Sequence, residues 1–126
     1  MFENENHQRA HDFLMQGNFR KAHTLLAQQM NPEMGGLIWV DFLYLQTIVH
    51  PNQFNVQQLE EVAKVKPEWD FLNELIAFLS NNDLEMATKH IYEQFEIQNT
   101  IRKNVMESNI STEDIQRIID FKNRPI

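Results

Sequence analysis

Slid against itself by 65 residues, the chain lays one helix–turn–helix pattern over another. Phe13 falls on Phe78, Leu14 on Leu79, Gly17 on Asn82, Phe19 on Leu84, Ala22 on Ala87, Leu26 on Ile91 and Gln29 on Gln94. The match in type covers each apolar position and the turn between the helices. A supersecondary unit that recurs in this way buries its apolar face against its neighbours, so the repeat limits the chain to a stack of such units. An offset of 65 is close to twice 33 and leaves room for one degenerate unit between, from Leu37 to Val65.

Helical periodicity agrees with this along the whole chain. Ala10, Phe13 and Leu14 form one short apolar face, and Phe19, Ala22, Leu26 and Met30 form the next. Gly17-Asn18 breaks the two apart, and Asn31-Pro32 ends the second because the residue before proline avoids the α region. Leu37 to Val49 is apolar almost all the way round, the pattern of a central helix covered on two sides. His50-Pro51 stops it. Asn55 caps a fourth helix carrying Val56, Leu59, Val62 and Ala63, and Lys66-Pro67 ends that one. Trp69, Leu72, Leu75, Ile76 and Leu79 make a fifth. Asn81-Asn82-Asp83 reads as turn and cap before a sixth with Leu84, Ala87, Ile91 and Phe95. Its later stripe, Ile97, Ile101 and Val105, is rotated by about a quarter turn, so the sixth helix is expected to change partners midway or to kink. Ser111 starts a last short helix. No segment alternates with period two for long enough to be a strand. The fold class is therefore all-α. Residues 1–126 form one domain of about three antiparallel helix hairpins (about 2–31, 36–65 and 68–107), plus a C-terminal helix at about 111–122.

The first unit reads Ala10-x-x-Phe13-x-x-x-Gly17-x-Phe19-x-x-Ala22-x-x-x-Leu26, then Pro32, and resembles the tetratricopeptide repeat. Ala10 and Ala22 are small where two helices cross closely, Phe13 and Phe19 fill the space beside them, and Gly17 permits the tight turn. The third unit departs from the pattern, with Leu75 for a small residue, Asn82 for glycine and no closing proline. Asparagine tolerates the left-handed conformation that the turn needs. The resemblance implies protein or peptide recognition through a concave surface lined by the first helix of each pair. It implies no catalysis and no particular partner.

Composition narrows the function classes. The 126 residues include no cysteine, which excludes disulfides, thiolate catalysis and Cys-ligated metal centres. The formal charge of −7 argues against nonspecific binding to nucleic acid or an anionic membrane. Met1 to Asn6 has no basic or apolar stretch of a secretion signal. Leu37 to Val49 has ten apolar residues of 13, too few to span about 30 Å of hydrocarbon, and contains Asp41. A soluble, cytoplasmic protein is expected. No phosphate-binding glycine loop or nucleophile elbow is present, so an enzyme is not expected, and no cofactor is implied. His7 and His11 lie at i, i+4 on one helix face, a spacing that can chelate a metal, but the intervening glutamate of the metalloprotease motif is missing. They read as an exposed polar face that could line a groove, with no metal.

The net charge is unevenly placed. Residues 60–96 hold nine acidic side chains against three lysines. As a docking surface, Glu60, Glu61, Glu68, Asp70 and Glu74 would steer a basic protein or peptide partner. Trp39 and Trp69 read first as core and second as aromatic anchors, with Trp69 at a helix start the better candidate for exposure. His7, His11, Trp39 and Tyr44 on the earlier helices are the candidate groove residues. The leading expectation is a noncatalytic protein–protein interaction module, adaptor or chaperone-like. The alternative is a small acidic inhibitor of the immunity or antitoxin type that covers a basic toxin such as a nuclease. The oligomeric state is left open by the sequence.

Overall fold

A computed structural model describes residues 2–108 and, among them, six helices and no strand. They are α1 (Glu5–Met15), α2 (Phe19–Ala27), α3 (Gly36–Val49), α4 (Val56–Val65), α5 (Asp70–Ser80) and α6 (Leu84–Ser108). The terminal helix expected at about 111–122 lies outside the described residues. The starts follow local chemistry. Asn4 accepts from the His7 amide at 2.9 Å, Asn55 from the Gln58 amide at 3.1 Å and Asp83 from the Met86 amide at 3.2 Å. Each side chain satisfies an amide that the first helical turn leaves without a partner.

The 65-residue repeat is a repeat in three dimensions. At the end of α1, the Gly17 amide donates to the Leu14 carbonyl at 3.0 Å and the Asn18 amide to the Phe13 carbonyl at 2.8 Å. At the end of α5, the Asn82 amide donates to Leu79 at 3.1 Å and the Asp83 amide to Phe78 at 2.8 Å. Both are Schellman closures, which need a left-handed residue at the same place. Gly17 takes φ 82° and Asn82 φ 57°. Ala22 and Ala87 then sit at the start of the returning helices with no exposed surface, beside buried Leu26 and Ile91.

Helices α1 and α2 pair as one hairpin and α5 and α6 as another. In the middle, α3 packs on α2 and α6, while α4 packs on α5. Ten of the 14 residues of α3 are buried, as expected of a helix with neighbours on opposite sides. The rotated stripe of α6 has the first of its two expected consequences, a change of partner. The first part of α6 packs on α5, with the His90 ring stacked on Phe71, and from Tyr92 onward α6 runs antiparallel along α3, with Tyr92 and Phe95 against Tyr44 and Gln98 and Arg102 against Asp41. The core is one continuous cluster through all six helices, including Trp39, Leu45, Leu59, Phe71, Leu75 and Ile91.

Candidate functional site

Two places concentrate polar chemistry: a buried ionic cluster where α1, α3 and α6 meet, and an open acidic cleft on the outer side of α6. The buried cluster centres on Asp41, a lone charge in the apolar run of α3. An isolated carboxylate there would be strongly unfavourable, so it must be paired. Arg102 of α6 supplies the counter-charge, with Nη2 at 2.9 Å from Oδ2 and Nη1 at 3.5 Å from Oδ1. Gln98 Nε2 donates to Asp41 Oδ1 at 2.8 Å and to the Leu37 carbonyl at 3.0 Å. His7 of α1 completes the set, with Nε2 at 2.6 Å from Asp41 Oδ2.

The Glu3 amide donates to His7 Nδ1 at 2.8 Å, so Nδ1 is the acceptor and Nε2 carries the hydrogen that reaches Asp41. Asp41, His7, Gln98 and Arg102 are all buried. Burial alone would push the Asp41 carboxyl up, but the Arg102 guanidinium and the His7 hydrogen bond outweigh it and hold it below the ordinary carboxylate range. Phe2 covers the cluster, edge-on to His7 at 5.0 Å and beneath the Arg102 guanidinium at 4.9 Å. Two buried atoms, Arg102 Nε and Gln98 Oε1, have no partner among the described residues.

The cluster is sealed from solvent and holds three helices together. The aspartate–histidine pair has the geometry of a catalytic dyad but no surface on which a substrate could sit, as His7 has no exposed area. Just outside it, His11 Nε2 meets Asn99 Oδ1 at 2.9 Å, and Asn99 Oδ1 also accepts from Arg102 at 3.1 Å. Burial lowers the His11 pKa, and the nearby Arg102 charge adds to that against the Asn99 hydrogen bond.

These contacts revise the expectation that His7 and His11 form one exposed polar face. His7 is a core residue, and His11 is partly buried against α6. Trp39 and Trp69 likewise take the core reading, at 1% and 7% exposure, and Trp39 Nε1 donates to the Asn31 carbonyl at 3.1 Å. Neither indole presents itself to a partner, and the better candidate for exposure, Trp69, packs on Phe71. Among the described residues no group of three or more His, Asp or Glu side chains is placed to hold a metal ion. No described helix is long and apolar enough to cross a membrane.

The acidic candidates lie on α4, on α5 and in the turn between them. Glu60, Glu61 and Glu68 lie exposed on and after α4, and Glu61 is paired with Lys64 at 2.9 Å. Asp70 starts α5 and is half-buried, and Glu74 lies 3.5 Å from His90. Tyr44 is the candidate that leads to a cleft. Its ring stacks on Phe95 at 3.8 Å and leans on Tyr92 at 5.3 Å. Burial, with Tyr92 and Glu96 nearby, raises the Tyr44 phenol above its ordinary value.

Tyr92, at 39% exposure, forms part of the wall of a cleft of about 710 Å³ that also takes in Glu85, Lys89, Glu93, Glu96 and Asn52. Asn52, with φ 63°, turns the α3–α4 loop toward α6 to close one side. Three glutamates against one lysine make the cleft electronegative, and the tyrosine offers a ring face to a cation. Glu85, Glu93 and Glu96 belong to the acidic stretch of residues 60–96. Their spacing around Tyr92 on one helix was the available signal. No family model matches the chain, and no curated protein or solved structure matches it either.

Proposed function

We propose that this protein is a noncatalytic helix-hairpin repeat module, tetratricopeptide-like in its construction, that binds a basic segment of a protein or peptide partner. The observation that carries this reading is the open cleft on α6, where Glu85, Glu93 and Glu96 surround half-exposed Tyr92. A lysine or arginine entering it would gain charge complementarity on approach and an aromatic face on docking. The repeat supplies a rigid platform, with α6 fixed by α5 at one end and by α3 at the other.

An immobilised-protein binding assay with an arginine- and lysine-rich peptide tests this. Glu93→Lys with Glu96→Lys should lower the association rate, and the effect should shrink as salt rises, because exposed charges are screened over about 8–10 Å. Tyr92→Ala should mainly raise the dissociation rate. Rates unchanged by both changes at low salt would sink the proposal. The inhibitor reading, a folded basic toxin covered by an acidic face, is favoured if Glu60→Lys, Glu61→Lys and Glu68→Lys remove association while the α6 changes do not.

A further inference from the structure

The two outer hairpins carry opposite charge at several positions related by the 65-residue repeat. Between α1 and α2 lies a cavity of about 300 Å³ floored by Phe13 and Leu25 and rimmed by Arg9, Arg20 and Lys21. Lys21 sits over the Phe13 ring at 4.9 Å. Among the described residues none of these three cations has a carboxylate within ion-pair distance. Advancing each position by the 65-residue repeat gives its counterpart on the α5–α6 hairpin. Phe13 becomes Phe78, which keeps the aromatic floor. Arg9 becomes Glu74, Arg20 becomes Glu85 and Gln28 becomes Glu93, while Lys21 becomes Met86 at 39% exposure, Thr24 becomes Lys89 and Leu25 becomes His90, so the balance of these positions turns acidic. Over the same frame, residues 5–29 carry three basic and two acidic side chains, whereas residues 70–94 carry one basic and five acidic.

The inverted charge makes one hairpin electrostatically complementary to the other. We propose that the basic α1–α2 groove of one copy of this chain receives the acidic α5–α6 hairpin of a second copy, with Arg9 and Arg20 against Glu74 and Glu85 and Met86 at the apolar floor. The contact is heterologous. It closes into a dimer if both complementary pairs form about one two-fold axis, and otherwise extends into short chains. Exposed ion pairs are individually weak, so the association is weak and salt-sensitive. Glu93 lies 4.0 Å from Lys89, which lowers the field without removing it, and Glu74 lies 3.5 Å from His90.

This inference adds a partner for the acidic hairpin and does not require the basic-peptide reading. The test uses the wild-type chain and two charge-reversed forms, all altered at exposed positions. Arg9→Glu with Arg20→Glu makes both grooves acidic, and Glu74→Lys with Glu85→Lys makes both basic. Sedimentation velocity over a concentration series at low salt should show wild-type self-association that is lost at high salt. Each reversed form alone should associate on the order of tenfold more weakly. An equimolar mixture of the two should associate at least as tightly as wild type. A wild type that stays monomeric through the low-salt series, a reversed form that associates as tightly as wild type, or a mixture that fails to associate overturns the proposal. The Arg9→Glu, Arg20→Glu form keeps the α6 cleft intact, so peptide binding by it reports on that cleft separately.

Discussion

Removing the Asp41 carboxylate should be the most damaging single change of its size in this molecule. Asp41 accepts from His7 at 2.6 Å, from Gln98 at 2.8 Å and from Arg102 at 2.9 Å, and it is 1% exposed. Asp41→Ala leaves the Arg102 guanidinium, 3% exposed, with no counter-charge among the described residues. Breaking a buried pair by removing one partner costs about 3–5 kcal/mol. For a domain whose whole stability is about 5–15 kcal/mol, that is a large fraction. It corresponds to a fall in Tm of roughly 10–20 °C for a chain of this length. Asp41→Asn keeps an acceptor but not the charge and should fall between wild type and alanine. Asp41→Leu combined with Arg102→Met removes both charges and should recover a large part of the loss, since an apolar pair can replace a buried ion pair at little cost.

The assay is urea unfolding followed by the fluorescence of buried Trp39 and Trp69, run as a double-mutant cycle on Asp41 and Arg102. A coupling of about 2 kcal/mol or more is expected from neighbours in one buried network. Single changes that each cost less than about 1 kcal/mol, and that add without coupling, would refute the view that this cluster holds α1, α3 and α6 together.

Over-packing tests the repeat. Ala22→Leu and Ala87→Leu place bulk at fully buried helix crossings and should each cost about 1–3 kcal/mol, whereas Ala27→Leu, on an exposed position, should stay within about 0.5 kcal/mol. Unfolding midpoints for the first two at the wild-type value would contradict the equivalence of the hairpins. Acid sensitivity should come in two stages. His11 is lowered by burial, so the unfolded chain takes up its proton first, and this stability is complete above 6.5 and declines as pH falls below it. His11→Gln should therefore flatten the loss of Tm between about pH 7 and 5, and an unchanged slope would refute this. Asp41 is also lowered, chiefly because Arg102 and His7 outweigh its burial, so its share persists above the ordinary carboxylate value and is lost only as pH falls below it.

Helix number, the turns and the buried character of α3 were legible in the sequence because each rests on local chemistry. Asn55 caps because its side chain reaches an amide three residues on, and Gly17 and Asn82 turn because both tolerate positive φ. The order of packing was not legible. That α6 leaves α5 and joins α3 showed only as a rotation of its apolar stripe, which identifies no new neighbour. The buried cluster was missed although its signal was present. Asp41 alone in an apolar run requires a cation, but nothing local marks Arg102, 61 residues away, as that cation. For the same reason His7 read as exposed. Its i, i+4 partner His11 shares a helix face with it, and only the arrival of α3 decides that one of them is core. Trp39 and Trp69 follow their first reading as core, and the exposure that flanking Glu68 and Asp70 suggest for Trp69 is removed by its packing on Phe71.

The most direct test of partner recognition is to watch where a basic ligand lands. Backbone amide chemical shifts of the labelled protein, recorded during titration with an arginine- and lysine-rich peptide at low salt, report every residue at once. Saturable perturbations should concentrate on Leu84 to Glu96, with Asn52 and Tyr44 included, and should weaken as salt rises. Perturbations that centre on the exposed glutamates of α4, or that are absent throughout the titration, would contradict recognition through the α6 cleft.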